Sequence, residues 1–278
     1  MNWETLFDKN ESIPANQAKE LLASRLPGEF TLLDVRQPGE YQEFHIPGAQ
    51  LIPLKELPDR IEELDRNRET IVYCRSGARS NAACQILRGH SFSRVLNMSG
   101  GILQWQGHRA QGSTNQGLEF FLRKDFDSVF AMAYQMEAGL KEFYLLLKDE
   151  TEDSHFRKIL HELARFEDGH MAKLLAQYQQ LPPTETKTGD PVAEGGITLS
   201  SLADAFGDQL DSPETIYQLA MQFEAQALDL YLRLSRRHES EPVLHSFYLQ
   251  MAKEEQKHLD KLSFELDNLL TEQGFSSQ

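Results

Sequence analysis

Apolar residues follow two different rhythms along the 278-residue chain. Up to about residue 110, short apolar, strand-like runs at 31–35, 50–54, 70–74 and 94–98 alternate with stretches of three- and four-residue spacing at 14–25, 55–65 and 78–90. Strand runs alternating with helical ones predict an α/β sandwich around a largely parallel sheet. From about residue 120 the spacing is helical, over 120–150, 153–181, 213–238 and 241–272. Start signals support these divisions: Ser212 offers an N-cap before Pro213, and Ser240 or Glu241 does so before Pro242. The stretch "LPPTETKTGDPVAEGG", 181–196, cannot continue a helix. With a short helix expected near 199–210, it makes one connection much longer than the others, the pattern of an all-α four-helix bundle with one long crossover. Between the two rhythms, 108–117 is polar, Gly-rich and aperiodic, which places domains at 1–112 and 123–278 with a linker at 113–122.

Charge sharpens this division. The net charge is -15, yet residues 1–112 carry 13 basic and 14 acidic residues, leaving 15 basic against 29 acidic from 113 onward. So acidic a segment repels nucleic acid and anionic membrane surfaces and supplies many oxygen ligands. No run of about 18 apolar residues exists to cross a bilayer and the N-terminus has no signal-peptide core, so a soluble cytoplasmic protein is expected. Two cysteines, Cys74 and Cys84, are too few for a disulfide framework or a four-cysteine metal knuckle.

In "TIVYCRSGARSNAACQIL" an apolar strand ends at Cys74, a tight polar loop follows, and a helix begins near Ala78. Loop N–H groups, the helix dipole, Arg75 and Arg79 should favour a thiolate at Cys74, a nucleophile whose loop would hold an oxyanion or a persulfide sulfur. The alternative is a cysteine that merely ends a buried strand. Cys84, on the apolar side of the following helix, reads as a packed core thiol.

The segments "DVRQPGEYQEFHIPGAQLIPL" (34–54), "YCRSGARS" (73–80) and "GGILQW" (100–105) resemble a single-domain rhodanese, over roughly residues 5–110. That resemblance implies a sulfurtransferase in which Cys74 takes sulfur from a sulfane donor and passes it to a thiol- or cyanide-type acceptor. The loop Arg75, Ser76, Gly77, Ala78 and Arg79 would cradle the persulfide. Four residues separate Cys74 from Arg79, one fewer than in tyrosine phosphatases, which argues for sulfur over phosphate. Asp34 and Arg36 are expected to form a strand-end salt bridge, and His45 to brace a turn.

The acidic half repeats itself. Residues 132–147 and 219–234 match at seven of sixteen positions at an offset of 87, pairing Glu137 with Glu224 and Tyr144 with Tyr231. At an offset of 88, 163–174 falls on 251–262 and pairs Glu167 with Glu255 and His170 with His258. Each copy of this helical hairpin thus carries a lone glutamate followed by Glu-x-x-His on the next helix, whose two members project to one side. Antiparallel packing would bring four carboxylates and two imidazoles to one level, the constellation of a di-iron or di-manganese carboxylate site. Burying four unpaired carboxylates opposes folding, and two divalent cations would compensate them. Glu254 aligns with Phe166 and is expected at the rim. Tyr144 and Tyr231 are candidates to hydrogen-bond the ligand carboxylates, with aromatic core packing the alternative. His155, His161, His238 and His245 have no repeat partner and read as surface or core-edge residues.

Residues 125–272 resemble the rubrerythrin branch of the ferritin-like superfamily. This implies a di-iron centre, with manganese or zinc as other occupants, an oxidoreductase that reduces peroxide or dioxygen, and a homodimer. Two cysteines cannot form the four-cysteine electron-donor domain of many rubrerythrins, so the donor implied is external, another protein or a small molecule, with the attached sulfur domain as the alternative. Two other functions stay open: a sulfurtransferase with a non-catalytic metal-storage bundle, and a persulfide carrier whose bundle supplies an interface.

Overall fold

The computed structural model describes residues 11–25, 28–113, 129–152, 154–178, 192–193, 197–198 and 212–275. They belong to two compact units, Met1–Thr114 with Leu228–Lys257, and Asn115–Ala227 with His258–Gln278.

The first unit contains a five-stranded parallel sheet of order β1-β5-β4-β2-β3, formed by β1 (Ser12–Pro14), β2 (Phe30–Asp34), β3 (Gln50–Leu51), β4 (Glu69–Tyr73) and β5 (Val95–Ser99). Helices α1 (Ala15–Ala23), α2 (Pro38–Glu43), α3 (Leu57–Arg60) and α4 (Ala78–Gly89) connect them. Alternate strand residues enter different cores: Leu33 and Val72 pack with Leu57, Cys84 and Leu87, whereas Leu32, Ile71 and Tyr73 pack with Tyr41, Met98 and Trp105. A sheet buried on both faces explains why its strands read as continuous apolar runs. The strand expected over 50–54 stops at Leu51, before Pro53, and the helix expected over 55–65 is one α turn followed by the 3-10 turn Ile61–Glu63. Strand β1 has no counterpart in the sequence pattern; three residues ending in proline carry too little periodicity to register.

The same unit includes parts of two long helices, α7 (Pro213–Arg237) and α8 (Pro242–Phe275). Asp229 on α7 is buried, accepts a hydrogen bond from the Gly48 N–H at 2.8 Å and another from Arg233 Nε at 2.8 Å, and lies 3.3 Å from His45 Nε2. Burial alone would raise its carboxyl, but Arg233, His45 and the Gly48 N–H bring it well below the ordinary carboxylate range. His45 does brace its turn, through Nδ1 and the Tyr41 carbonyl at 2.9 Å, and its other nitrogen serves Asp229 as well.

In the second unit α5 (Val129–Glu150) and α6 (Ser154–Tyr178) form an antiparallel pair. One core joins Leu140, Phe143 and Tyr144 of α5, Ile159, Leu160 and Leu163 of α6, Ile216, Leu219 and Phe223 of α7, and Leu262 of α8. The described residues after 129 are therefore mostly helical, as expected. Ser212 caps α7 by accepting the Thr215 N–H at 3.2 Å. A two-stranded antiparallel pair, β6 (Val192–Ala193) with β7 (Ile197–Thr198), occupies part of the long connection. The helix expected near 199–210, and the linker 113–122 apart from Ser113, lie outside the described residues. Among the described residues no helix is long and apolar enough to cross a membrane.

Candidate functional sites: a cradled thiol and a buried carboxylate cluster

Cys74 directly follows β4, and α4 begins four residues later with Gly77 at its N-cap. Gly77 has φ +102°, a left-handed conformation that favours glycine, and this turns its N–H toward the thiol. The Gly77 N–H donates to Cys74 Sγ at 3.1 Å and the Ser80 hydroxyl lies 3.5 Å from the same sulfur. Burial pushes the thiol pKa up, but the Ser80 hydroxyl and the N–H groups of Ser80, Gly77 and Ser76 outweigh it and hold the group below its ordinary value. The "GGILQW" segment packs behind the loop: Ile102 N–H donates to the Cys74 carbonyl at 2.9 Å and Leu103 N–H to that of Arg75 at 3.1 Å. Gly101 has φ +57°, and a Cβ there would collide with both carbonyls.

Neither arginine hydrogen-bonds the sulfur in the contacts described, although Arg79 still interacts with the Cys74 charge. Arg79 directs its two terminal nitrogens to Glu40, at 2.6 and 2.7 Å, and Arg75 is exposed, so the thiolate is favoured chiefly by N–H groups and Ser80. Glu40 is lowered to about 2, first by the hydrogen bond from Arg79. Ser76 and Ala78 are exposed and Gly77 is buried. Asp34 and Arg36 form the anticipated pair at 2.7 Å, with Arg36 also donating to the Phe44 carbonyl. Cys84 is a core thiol that burial raises to about 12, which leaves it protonated and inert at neutral pH. Ser80 escaped the sequence reading, although its place six residues after Cys74, in the first turn of α4, was a usable signal.

On the helices, Glu137 of α5 and Glu167 and His170 of α6 converge. His170 Nδ1 is 2.9 Å from Glu137 Oε2 and 2.9 Å from Glu167 Oε2, and the three residues offer ligand atoms within 4.8 Å of one another. The second copy places His258 Nδ1 of α8 3.2 Å from Glu224 Oε2 of α7, and Glu255, one turn before His258 on α8, is fully buried. The His170 and His258 rings stack 3.8 Å apart, so the imidazoles of the two copies meet. Burial lowers the His170 pKa, but Glu137 and Glu224 raise it by more, leaving it above its ordinary value. Glu137 Oε1 is buried without a hydrogen-bond partner. A buried carboxylate oxygen left unpaired beside further carboxylates and imidazoles is what a divalent cation would complete, so these residues fit a metal pair of the carboxylate and imidazole type.

Tyr144 is buried beside Phe143, and Tyr231 lies near Tyr248 with ring centroids 6.5 Å apart, so core packing is visible for both. Glu254 is half-buried and bonds Lys257, the anticipated rim position. His161 is exposed, His238 pairs with Glu241, and His245 bonds the Ser235 carbonyl; the His155 side chain lies outside the described residues.

Residues 15–108 match the family model for a rhodanese-like domain. The chain is 41% identical over 91 residues to a sulfurtransferase of Allochromatium vinosum, a match covering 32% of this chain and 85% of that one. It is 29% identical over 100 residues to the thiosulfate sulfurtransferase GlpE of Coxiella burnetii, covering 36% and 91%. It is 42% identical over 88 residues to an HTH-type transcriptional regulator of Mycobacterium tuberculosis, of whose length it spans only 39%, against 31% of its own.

Proposed function

Because the chain belongs to the rhodanese-like family through residues 15–108, with sulfurtransferase relatives, we propose that it is a rhodanese-type sulfurtransferase whose sulfur carrier is Cys74. The observation that carries this is the 3.1 Å donation of the Gly77 N–H to Sγ, in a loop whose other N–H groups also favour a thiolate. The Cys74 thiolate attacks the outer sulfur of a sulfane donor such as thiosulfate. A bond forms between Sγ and that sulfur, the donor's sulfur–sulfur bond breaks, and sulfite leaves with the electron pair. The loop N–H groups then hold the persulfide as an anion. A thiol- or cyanide-type acceptor attacks the outer sulfur, and the electron pair of the broken bond returns to Sγ. Cys74→Ser is expected to lower thiosulfate-dependent transfer at least about a thousandfold while leaving the fold intact. Transfer unchanged in that variant would overturn the assignment.

The helical half carries a second site on the same reading: a ferritin-like four-helix bundle of rubrerythrin type, in which Glu137, Glu167, His170, Glu224, Glu255 and His258 hold two metal ions. Carboxylate and imidazole donors suit iron or manganese better than softer metals. Bound there, a di-iron pair would supply redox chemistry for reducing peroxide or dioxygen, with electrons from an external donor. The chain's own residues set the conditions for holding it. The two histidines must present unprotonated nitrogens, and Glu137 and Glu224, which now face His170 and His258, must turn from imidazole to ion. Metal analysis of the purified chain against Glu255→Ala tests this. About two ions per chain, lost in the variant, supports it; no metal in either contradicts it.

A further inference from the structure

The Ser80 hydroxyl beside Cys74 has more acceptors than protons. Its oxygen lies 2.6 Å from Asn97 Oδ1, 3.1 Å from the Gly77 carbonyl and 3.5 Å from Cys74 Sγ. One hydroxyl supplies one proton and two lone pairs. The proton cannot serve Asn97 and the sulfur at once: given to Asn97, the shortest contact, it leaves a lone pair facing Sγ. That arrangement suits the neutral thiol, whose S–H can donate to Ser80. It does not suit a thiolate or an anionic persulfide, which needs the hydroxyl proton for itself.

Both states can be served by the residue behind Ser80. Asn97 is on β5, buried to 5% exposure, and is held by the parallel pairing of β5 with β1, where its N–H donates to the Glu11 carbonyl and its register partner is Ser12. Its Nδ2 donates to Ser12 Oγ at 3.2 Å. A carboxamide carries an acceptor at one end and donors at the other, and a half-turn about its last torsion exchanges them. With Oδ1 toward Ser80 the chain of bonds runs from the Cys74 S–H to Ser80 to Asn97. With Nδ2 toward Ser80 it reverses: Ser12 donates to Oδ1, Nδ2 donates to Ser80 Oγ, and the Ser80 proton is delivered to Sγ.

We propose that Asn97 is a positioning residue for the Cys74 sulfur. By presenting an N–H to Ser80 it turns the Ser80 hydroxyl onto the thiolate and the persulfide, and by presenting its oxygen it accommodates the thiol. This rests on Cys74 being the reacting sulfur. Besides hydrogen bonds only the Cys74 S–H bond breaks: its electron pair stays on Sγ and its proton leaves to solvent or to the incoming group.

Asparagine and aspartate differ in one respect that matters here, since an ionised aspartate can only accept. Asn97→Asp should fix the Ser80 hydroxyl on the carboxylate and withdraw it from sulfur. The readout is the pH profile of Cys74 alkylation by iodoacetamide in the full chain, followed on the Cys74 peptide by mass spectrometry so that Cys84 does not contribute. Asn97→Asp and Ser80→Ala should each move the midpoint upward by about one unit, a tenfold loss of reactivity at a pH below both midpoints. In the Ser80→Ala background, Asn97→Asp should add less than about a third of its own shift. An equal shift with and without the Ser80 hydroxyl would mean that the carboxylate acts through space, and would overturn the proposal. So would an unmoved midpoint in Asn97→Asp. If Asn97→Asp does not fold, Asn97→Ser keeps a side chain that can both donate and accept, and the proposal requires its profile to stay closer to wild type than that of Asn97→Ala. Alkylation does not require sulfur transfer. A normal profile in a chain that never accepts sulfur from thiosulfate would therefore count against the sulfurtransferase reading and not against this one.

Discussion

The described residues bury carboxylates in two ways. Asp34 receives three hydrogen-bond donors from Arg36, its backbone N–H, Nε and Nη2, and Asp229 receives the Gly48 N–H and Arg233. Each of these aspartates meets a guanidinium and a backbone donor that satisfy its oxygens. Among the helices, Glu137 meets only imidazole in the contacts described, at 2.9 Å, and keeps one buried oxygen without a partner. The cost of burial is answered by the protein in the first case and left open in the second. A buried acid with its own guanidinium is fastening a fold, whereas acids gathered around imidazoles are, on the proposed reading, a site for divalent cations.

Removing one member from each kind tests the distinction. Asp229→Ala removes the buried carboxylate that meets Arg233, the Gly48 N–H and His45, and should cost about 3–5 kcal/mol in urea unfolding. A cost within experimental error would remove Asp229 from the fastening class. Glu137→Gln should act in the opposite direction, stabilising the metal-free chain by about 1–2 kcal/mol because it removes a buried carboxylate that, among the described residues, hydrogen-bonds only His170. It should also abolish binding of the full metal complement. If it destabilises the metal-free chain instead, Glu137 belongs with the aspartates and the comparison fails.

The smallest effect concerns a partly exposed counterpart. The Glu40 carboxyl is held at about 2 by Arg79 against an ordinary value of 4.5. Its folded value is depressed, so its contribution to stability is complete above about 4.5 and is lost as pH falls toward 2. With side chains 28% and 32% exposed, the pair should be worth at most about 1 kcal/mol, read as the difference between wild type and Glu40→Gln across that window. A larger loss would mean that Arg79 positions the Cys74 loop through Glu40.

The two sites were legible in the sequence for different reasons. The Cys74 loop is local: a strand end, a glycine and a helix start lie within a few residues, so "YCRSGARS" places the thiol, the left-handed turn and the first helical turn together. What it concealed was direction. Nothing in the spelling of Arg79 says that it points to Glu40, and nothing in Ser80 or Asn97 says that strand and helix bring their side chains to 2.6 Å. The helical cluster is spread over more than a hundred residues and was visible only because it is repeated, which picked Glu137, Glu167, Glu224 and Glu255 out of an acidic half. Asp229 belongs to neither signal. In "LDLYLRL" it has the spacing of a solvent-facing charge, and its burial follows from a turn at Gly48, 181 positions away. The short edge strand β1 was invisible for a simpler reason, its three residues being below the length at which a period can be counted.

Native mass spectrometry of the intact chain after treatment with thiosulfate, beside Cys74→Ser treated alike, reads both halves of the account in one spectrum. The expected result is one added sulfur atom that is absent from Cys74→Ser, together with two metal ions present in both. Sulfur retained in Cys74→Ser, or a chain that carries sulfur but never binds metal, would contradict it.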